Sequence, residues 1–438
     1  MKNIVAIIAE YNPFHNGHLY QIKEVKNKIE ADYIIAIMTG NFTQRGEPSL
    51  INKWKKAKMA LQNEVDMVIE LPTIFSVSNA EIFATGAIKI IKEMGNVTHI
   101  AFGVEDYDQA SINLIVKKLL QEDSIYKEKL REELVSGSSF PKAREEALIK
   151  SLELDESFIT ETLSKVDYKK LNEEEIKVER ENILIHRRQE IKSIIEKPNN
   201  ILAIEYLKAI KKNKLDIEPI LVERAGSDYL EESITSEMAS GSAIRKAIKN
   251  KELTQITKTM PLSNTEAIIK EIKSKNVVLG LEDLNDAIIY KLRSMNAKEL
   301  SNIADVSEGL ENLILTEVYN TNSVEDLIKK VKSKRYTQAR IQRIIIAALL
   351  GITKKDVKNA LKNKPYIRVL GMNNKGKEII SDFKGKVITS LKRFEDENKR
   401  YKCNFMLEKD KLASNIYAIA TNDNSESNGD YTEKIITL

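Results

Sequence analysis

The chain has 438 residues, of which 69 are Lys or Arg and 65 are Asp or Glu, so its net charge of +4 is too small to indicate a nucleic-acid partner by itself. This length predicts two or three domains, because single cores usually stop growing at roughly 250–300 residues. The single cysteine, Cys403, excludes an internal disulfide and a cysteine-based zinc site, and no apolar run approaches the ~20 residues of a membrane span. We therefore expect a cytoplasmic protein with no membrane partner.

The first predicted element is a short apolar strand over residues 4–9, of the kind that is buried in a parallel sheet. It leads into the turn at residues 12–18, Asn-Pro-Phe-His-Asn-Gly-His, which contains two of the four histidines of the chain. These histidines, His15 and His18, flank Gly17, whose missing Cβ lets a ligand approach the backbone closely. A helix is predicted to open at the second histidine, so that its free N–H groups face the turn.

Two imidazoles at the end of a parallel strand suit attack on the α-phosphate of a nucleotide. They can donate hydrogen bonds to oxygens that gain charge when the phosphate becomes five-coordinate, where one preorganised donor contributes about 2.7–4 kcal/mol. The alternative is a purely structural histidine pair in a strand–helix turn, which is the ordinary interpretation of a short His-x-x-His pattern. Because the strand, the proline, the glycine and the helix all fall where the chemistry needs them, we favour a nucleotide-binding turn.

Short strands and helices alternate over the first hundred residues. Strands are predicted over residues 33–38, 65–71 and 97–102, with helices over residues 52–62 and 80–92. This alternation predicts an α/β fold with a doubly wound parallel sheet, whose ligand crevice lies at the carboxyl ends of the strands. The histidine turn and Gly103 both lie at that edge.

A charged helical segment then interrupts the pattern, with an insertion near residues 151–197. Its default interpretation is a solvated helical face, and the alternative is a surface that contacts RNA. The sheet pattern returns with a strand over residues 217–223, followed by a small-residue turn that opens another helix. In that turn Ser240, Ser242 and Arg245 are weaker candidates for a second phosphate contact, because serine is also a common N-cap.

Beyond about residue 250 the pattern changes to amphipathic helices. A basic stretch at residues 332–343 leads into an apolar run, and a solvated helix end is as well supported there as a surface for RNA. The weaker candidates for tRNA contacts in this stretch are Lys334, Arg335, Arg340 and Arg343. Residues 366–372 and 415–420 are predicted as strands, so the carboxyl-terminal region is mainly but not purely helical.

The sequence lacks the motifs of other enzymes that act on nucleotide phosphates. It contains no Gly-x-x-x-x-Gly-Lys-Ser/Thr loop, which argues against a P-loop phosphotransferase. We predict no metal site, because His99 lies in a predicted strand and His186 is isolated. What remains is positioning and electrostatic stabilisation at an α-phosphate, which gives adenylyl transfer with loss of pyrophosphate.

These motifs resemble the bacterial tRNA(Met) cytidine acetate ligases, a family of the HxGH nucleotidyltransferase superfamily. The most specific segments read EYNPFHNGHL and MTGNFTQRGEP. The full resemblance spans nearly the whole chain, through residues 10–19, 38–48, 198–202, 239–245, 334–336, 340–343 and 366–371. It implies an ATP-binding nucleotidyltransferase-like domain over residues 1–250, with the charged insertion, and a mainly helical tRNA-binding domain over residues 251–438.

The resemblance also implies a two-step reaction. Acetate attacks the α-phosphate of ATP to give acetyl-adenylate and pyrophosphate, and the N4 amine of the wobble cytidine of elongator tRNA(Met) then accepts the acetyl group. Mg²⁺ is expected to accompany ATP, without an assigned protein ligand. The oligomeric state stays open.

The residues of the nucleotide site are also implied by the resemblance. His15 and His18 are the implied catalytic residues, and Asn199 is an implied contact for which the adjacent Asn200 is the alternative. The implied ATP-binding residues are Ile7, Ile8, Ala9, Glu10, Tyr11, Asn12, Pro13, Phe14, His15, Asn16, Gly17, His18, Leu19, Tyr20, Gly103, Asn199 and Arg224.

Two other functions remain open at this point. An adenylyltransferase for a small metabolite would need little beyond the α/β domain, and would leave the region after residue 250 unexplained. A nonenzymatic RNA-binding protein with a degenerate nucleotide fold is the second alternative, against which the intact His15 and His18 speak.

Overall fold

The computed structural model of the protein describes residues 2–105, 108–153, 172–224, 234, 236–307, 309–422 and 427–438. Across these ranges eight strands form one mixed sheet. Their bounds are β1 (Ile4–Ala9), β2 (Tyr33–Thr39), β3 (Met67–Leu71), β4 (His99–Val104), β5 (Glu218–Glu223), β6 (Ile367–Met372), β7 (Val387–Ile388) and β8 (Ile436–Thr437).

The helices flank this sheet on both faces. Those that precede residue 250 are α1 (Asn16–Ile29), α2 (Lys53–Leu61), α3 (Thr73–Ser76), α4 (Ala80–Met94), α5 (Gln109–Gln121), α6 (Ser124–Val135), α7 (Phe140–Glu153), α8 (Glu173–Glu196), α9 (Pro198–Lys212) and α10 (Gly241–Lys249). Those that follow are α11 (Leu253–Ile256), α12 (Leu262–Lys273), α13 (Asn285–Arg293), α14 (Ala297–Ser301), α15 (Leu310–Tyr319), α16 (Val324–Val331), α17 (Gln338–Leu349), α18 (Lys354–Lys362), α19 (Asn374–Ile379), α20 (Leu391–Glu397), α21 (Asn404–Tyr417) and α22 (Gly429–Thr432).

The strand order explains where a ligand can bind. Five parallel strands lie in the order β5-β4-β1-β2-β3, and Ile7 of β1 pairs with Ala36 of β2 on one side and Ala101 of β4 on the other. The order therefore reverses at β1, and in open α/β sheets the ligand crevice lies at the carboxyl ends of the strands at such a switch point. The predicted doubly wound fold is confirmed, and the histidine turn follows the strand at its switch point.

The carboxyl-terminal region contributes strands to the same sheet. β6 pairs antiparallel with β3, and β7 and β8 pair parallel with β6, so the sheet is mostly parallel rather than wholly parallel. The strand predicted at residues 366–372 is therefore confirmed as β6. In contrast, the strand predicted at residues 415–420 is wrong, because these residues end α21 and form a 3-10 turn. In α21 the buried side chains Met406, Asp410 and Tyr417 follow helical spacing, which a six-residue window does not reveal.

Two hydrophobic layers enclose the sheet. In β2 the side chains of Ile35 and Ile37 enter one layer, whereas those of Ile34, Ala36 and Met38 enter the other. All five are fully buried, because β2 is covered by helices on both faces. Burial on both faces explains why the strands read as continuous apolar runs instead of alternating patterns.

A buried ion network ties the end of the chain to the sheet. Lys53 Nζ lies 2.9 Å from a Glu70 oxygen and 2.6 Å from Asp430 Oδ1, and Arg368 Nη2 lies 2.6 Å from the same Asp430 oxygen. Although burial opposes ionisation, Arg368 and Lys53 lower the pKa of Asp430. The network joins α2, β3, β6 and α22. Removal of one partner would leave an uncompensated buried charge and lower the free energy of unfolding by about 3–5 kcal/mol.

The predicted charged insertion is helical where the structure describes it. Residues 154–171 lie outside the described residues, and the rest forms the end of α7 and the whole of α8. Arg188 on α8 lies 3.0 Å from Glu153 on α7, whereas His186 is exposed. Among the described residues no helix combines the length and the apolar character needed to cross a membrane.

Candidate functional site

The histidine turn is held by its own backbone. His15 is the N-cap of α1, and its Nδ1 accepts the backbone N–H of Gly17 at 3.1 Å. His18 Nδ1 accepts the backbone N–H of His15 at 3.2 Å, so each ring satisfies one donor at the start of the helix. The rings stack with their centroids 3.8 Å apart. The helix thus opens at Asn16, two residues before the predicted start.

The two histidines are neutral hydrogen-bond donors. Burial, with the nearby Arg224 and Arg245, lowers the pKa of His15 to about 3. Burial, His15 and Arg224 lower the pKa of His18 well below its usual value. Since Nδ1 of each ring accepts a hydrogen bond, the proton of each neutral imidazole is on Nε2. Both rings can therefore donate from Nε2 to a ligand oxygen without carrying charge.

Close backbone packing fixes the position of the turn. A Cβ on Gly17 would lie 3.0 Å from Cε1 of His15, so the glycine is needed for the ring to sit against the helix start. Asn12 Oδ1 accepts the N–H of Leu50 at 2.7 Å, and the Asn12–Pro13 peptide bond is cis. These contacts tie the turn to the start of α1 and to the loop that follows β2.

A buried lysine joins the ends of β1 and β2 beneath the turn. Lys56 Nζ lies 3.0 Å from the carbonyl oxygen of Glu10 and 2.9 Å from that of Thr39, and it also contacts Ser49 Oγ at 3.0 Å. Burial lowers the pKa of Lys56 to about 7, although the negative charges of Glu10 and Glu70 act to raise it. This residue was not predicted, because nothing in the sequence distinguishes it from the surface lysines of α2.

The second predicted turn supplies an arginine to the histidine turn. Arg245 Nη1 donates to the carbonyl oxygen of Asn12 at 2.8 Å, and a Cβ on Gly241 would lie 2.9 Å from that oxygen. Ser240 Oγ accepts the N–H of Ala243 at 3.1 Å, as an ordinary N-cap does, and lies 3.0 Å from Ser242 Oγ. Arg245 is thus the member of this turn that lies at the predicted nucleotide site.

The ends of β4 and β5 complete this side of the crevice. Gly103 lies under Arg224, since a Cβ at position 103 would contact the arginine Cγ at 3.4 Å. Asn199 Nδ2 is hydrogen-bonded to the Glu105 carboxylate, directly after β4. Asn200 is fully buried and accepts the N–H of Glu105 at 3.0 Å. Of the two asparagines, only Asn199 therefore presents its side chain at an open surface.

The predicted basic stretch lies on the other side of the loop that follows β2. Gly46 in this loop has a φ of +75°, and a Cβ there would lie 2.3 Å from the backbone nitrogen of Arg343 on α17. Glu47 links the two sides, because its carboxylate lies 3.2 Å from Arg245 Nη2 and 3.4 Å from Gln342 Nε2. Glu47 was not singled out from the sequence, although it lies within one of the family-specific segments.

One aspartate holds two of the four basic residues predicted to contact tRNA. Asp305 Oδ2 lies 2.9 Å from Arg343 Nη2, and its carbonyl oxygen accepts from Arg340 Nε at 3.2 Å. Arg340 also bonds Ser307. Lys334 is exposed and Arg335 is half-buried. The sequence did not predict the aspartate, which is far from both arginines in the chain.

The fold and the turn together define a nucleotide-binding α/β protein with an HxGH-type histidine pair. The HIGH Nucleotidyl Transferase family matches residues 1–432. The tRNA(Met) cytidine acetate ligase of Thermoanaerobacter sp. (strain X514) is 40% identical over 439 residues, which cover 99% of this chain and 100% of that protein. The protein of the same name from Clostridium perfringens is 36% identical over 432 residues, or 98% of each chain.

Solved structures agree with the sequence relatives. The apo crystal structure of Thermotoga maritima TmcAL superposes with a TM-score of 0.88, and the one bound with alpha-thio ATP with a TM-score of 0.85. Each is 29% identical and covers 100% of both chains. The chain belongs to the HIGH nucleotidyl transferase family and, within it, to the tRNA(Met) cytidine acetate ligases, as its motifs predicted.

Proposed function

We propose that the protein is an ATP-dependent ligase that acetylates N4 of the wobble cytidine of elongator tRNA(Met), with acetate as the acyl donor. The observation that carries the proposal is the locked pair of neutral imidazoles at the switch point of the sheet. The full-length similarity to proteins named tRNA(Met) cytidine acetate ligase supports tRNA(Met) as the acceptor and acetate as the acid that is activated. The cytoplasm is the expected location of this reaction.

The first step forms acetyl-adenylate. A carboxylate oxygen of acetate attacks the α-phosphorus of ATP, and the bond to the bridging oxygen of pyrophosphate breaks. His15 and His18 donate from Nε2 to the α-phosphate oxygens that gain charge, which favours the transition state over the bound substrate. The N-terminus of α1 adds the positive end of the helix dipole, while its first N–H groups stay within the protein, since Asn16 donates to the carbonyl oxygen of Thr259 and Gly17 to His15 Nδ1.

The second step transfers the acetyl group to RNA. The N4 amine of the cytidine attacks the carbonyl carbon of acetyl-adenylate, the bond to the AMP oxygen breaks, and the amine loses a proton to solvent or to a nearby base. We propose that the region over residues 251–438 binds the tRNA. Its weaker candidate contacts are Lys334, Arg335, Arg340 and Arg343.

The proposed ATP contacts surround the turn. They are residues 7–20, with Gly103, Asn199 and Arg224, and Arg245 is a further candidate for a phosphate because it lies against Asn12. Mg²⁺ is expected to arrive as a complex of the ATP phosphates. Within the described ranges no three His, Cys, Asp or Glu side chains lie close enough to hold a metal ion, and no step above depends on one.

The test follows both steps with the purified full-length protein. We expect ATP–pyrophosphate exchange that depends on acetate, and we expect mass analysis of elongator tRNA(Met) to show one added acetyl group at the anticodon cytidine. The matched control RNA carries uridine in place of this cytidine and gains no acetyl group, because it has no N4 amine.

Two results would reject the proposal. Exchange that proceeds equally well without any carboxylic acid would exclude acetate activation and point to an adenylyltransferase for a small metabolite. Tight tRNA binding without exchange and without acetylation would instead favour a nonenzymatic RNA-binding protein.

A further inference from the structure

A large cleft lies next to the predicted nucleotide site. It encloses about 520 Å³, within the usual range of roughly 300–1,000 Å³ for small-molecule sites. Most of its lining comes from the end of α6 and the start of α7, from the start of α9, and from residues 335–343 at the start of α17, which we call the α17 wall. We call it the arginine cleft, after the five arginines that line it: Arg45, Arg144, Arg335, Arg340 and Arg343.

The arginine cleft is a neighbour of the nucleotide site and not a part of it. Two of its lining residues border that site, since Asn199 bonds the carboxylate after β4 and Gln44 donates its N–H to Glu10 Oε1 at 2.7 Å. Neither of the two catalytic candidates, His15 and His18, lines the cleft. A group that fills it would therefore approach the adenylate from the side of Asn199.

The lining from α7 and α9 contains apolar side chains beside Arg144 and Glu145. Phe140 at the start of α7 is 50% exposed, and Leu148 and Leu202 also line the cleft. A half-exposed phenylalanine offers a face on which a flat ring can stack, which suits a nucleobase better than a carboxylate or a sugar.

The arginines of the α17 wall suit phosphates. Five arginines and three carboxylates line the cleft, so the lining carries an excess of positive charge, although Arg144 pairs with the buried Glu205 and Arg343 with Asp305. Two of the three carboxylates pair with lysines that do not line the cleft: Glu81 with Lys212 at 3.2 Å and Glu145 with Lys192 at 3.6 Å. These lysines partly offset the negative charge of the two carboxylates. A ring site beside an array of guanidinium groups matches a base whose neighbouring phosphates lie outside the pocket.

We propose that the arginine cleft receives one unstacked nucleotide of the RNA acceptor. Its base stacks on Phe140, and the phosphates on either side of it meet Arg335 and Arg340 on the α17 wall. The exocyclic amine then faces the boundary with the nucleotide site at Asn199. This inference rests on the proposed function, since it names the place where the acceptor cytidine enters.

The decisive variant is Phe140→Ala. Loss of one base–aromatic stack weakens binding by about 1–3 kcal/mol, which corresponds to a rise of about 5- to 150-fold in the KM for tRNA. We expect acetate-dependent exchange, and the KM for ATP in that assay, to stay at the wild-type values. Phe140→Trp restores the ring and should restore the KM for tRNA.

The matched control is Val135→Ala. Val135 is 81% exposed, lies at the end of α6 and does not line the cleft, so its removal should leave the KM for tRNA unchanged. As a direct readout, a photoreactive azidophenylalanine at position 140 should cross-link to the wobble cytidine of elongator tRNA(Met).

The outcomes separate this inference from the proposed function. If the wild-type protein acetylates tRNA and Phe140→Ala has an unchanged KM for tRNA, the cleft is not the acceptor site. A raised KM for ATP in exchange would place a free nucleotide there and also overturn the inference. Failure of the wild-type protein to acetylate RNA would reject the proposed function itself, and with it the acceptor assigned to the cleft.

Discussion

The histidine turn and the arginine pair of α17 hold their functional groups in opposite ways. His15 and His18 are neutral, and each is fixed by a hydrogen bond from the backbone of the same turn. The guanidinium groups of Arg340 and Arg343 are mostly buried, and Asp305, from a distant part of the chain, contacts both of them. The histidine turn keeps its geometry without a bound RNA. The arginine pair depends on an ion pair with Asp305, whose carboxylate a phosphate of the RNA can replace.

This difference suggests that the histidine turn serves the adenylation reaction and that the arginine pair serves the binding of RNA. Fixed neutral donors are most useful where charge develops during a reaction, because no group has to reorganise at that moment. Guanidinium groups that line an open cleft contribute to association with phosphates, and salt screens this contribution. Changes in the turn should therefore act on the rate of adenylation, and changes in the arginine pair should act on RNA affinity.

The largest expected effect comes from His18→Ala. Loss of one donor to the α-phosphate should lower the rate of acetate-dependent exchange about 10²–10³-fold. The affinity for tRNA should not change, because the loop between β2 and α2 separates the histidine turn from the arginine pair. The measurement is pyrophosphate exchange beside equilibrium binding of labelled tRNA.

His186→Ala is the matched control, since His186 is exposed on α8 and should leave both quantities unchanged. If His18→Ala weakened tRNA binding as strongly as it slowed exchange, the proposed separation between the two regions would be wrong.

The parts of the site that depend on local sequence were predictable, and the parts made by distant contacts were not. Residues 12–18 contain the glycine, the proline and both histidines of the turn, so short spacing identified it. Asp305 lies 35 residues before Arg340, and only the folded chain brings them together. The strand predicted at residues 415–420 failed for a related reason, because a short apolar run fits a buried helix as well as a strand.

The second prediction uses pH to test the histidine turn. The pKa of His15 is about 3 in the folded protein and near its usual 6.5 in the unfolded chain, so between these values the unfolded chain binds the proton. The free energy of unfolding should therefore fall as the pH is lowered from 6.5 towards 3, by up to about 1.4 kcal/mol per pH unit for this residue.

The measurement compares denaturant unfolding of the wild type and His15→Gln at pH 7 and pH 5. The variant should lose less stability on acidification, and His186→Gln should follow the wild type, because His186 is exposed. Equal losses for the wild type and His15→Gln would show that protonation of this histidine is not linked to folding.

The smallest effect is expected from Asp305→Asn, and it tests whether the aspartate competes with RNA for the arginine pair. The substitution removes one negative charge, and asparagine tolerates the φ of +67° at this position, so the carbonyl contact with Arg340 can persist. The side chains of Asp305 and of the two arginines are only 11% to 24% exposed. With one competing negative charge fewer beside the arginine pair, we expect tRNA affinity to rise about two- to fivefold. The converse change, Arg340→Gln with Arg343→Gln, should weaken binding and flatten its salt dependence, with exchange intact. If Asp305→Asn weakened tRNA binding instead, the aspartate would position the two guanidinium groups for RNA, and the arginine pair would be as preorganised as the histidine turn.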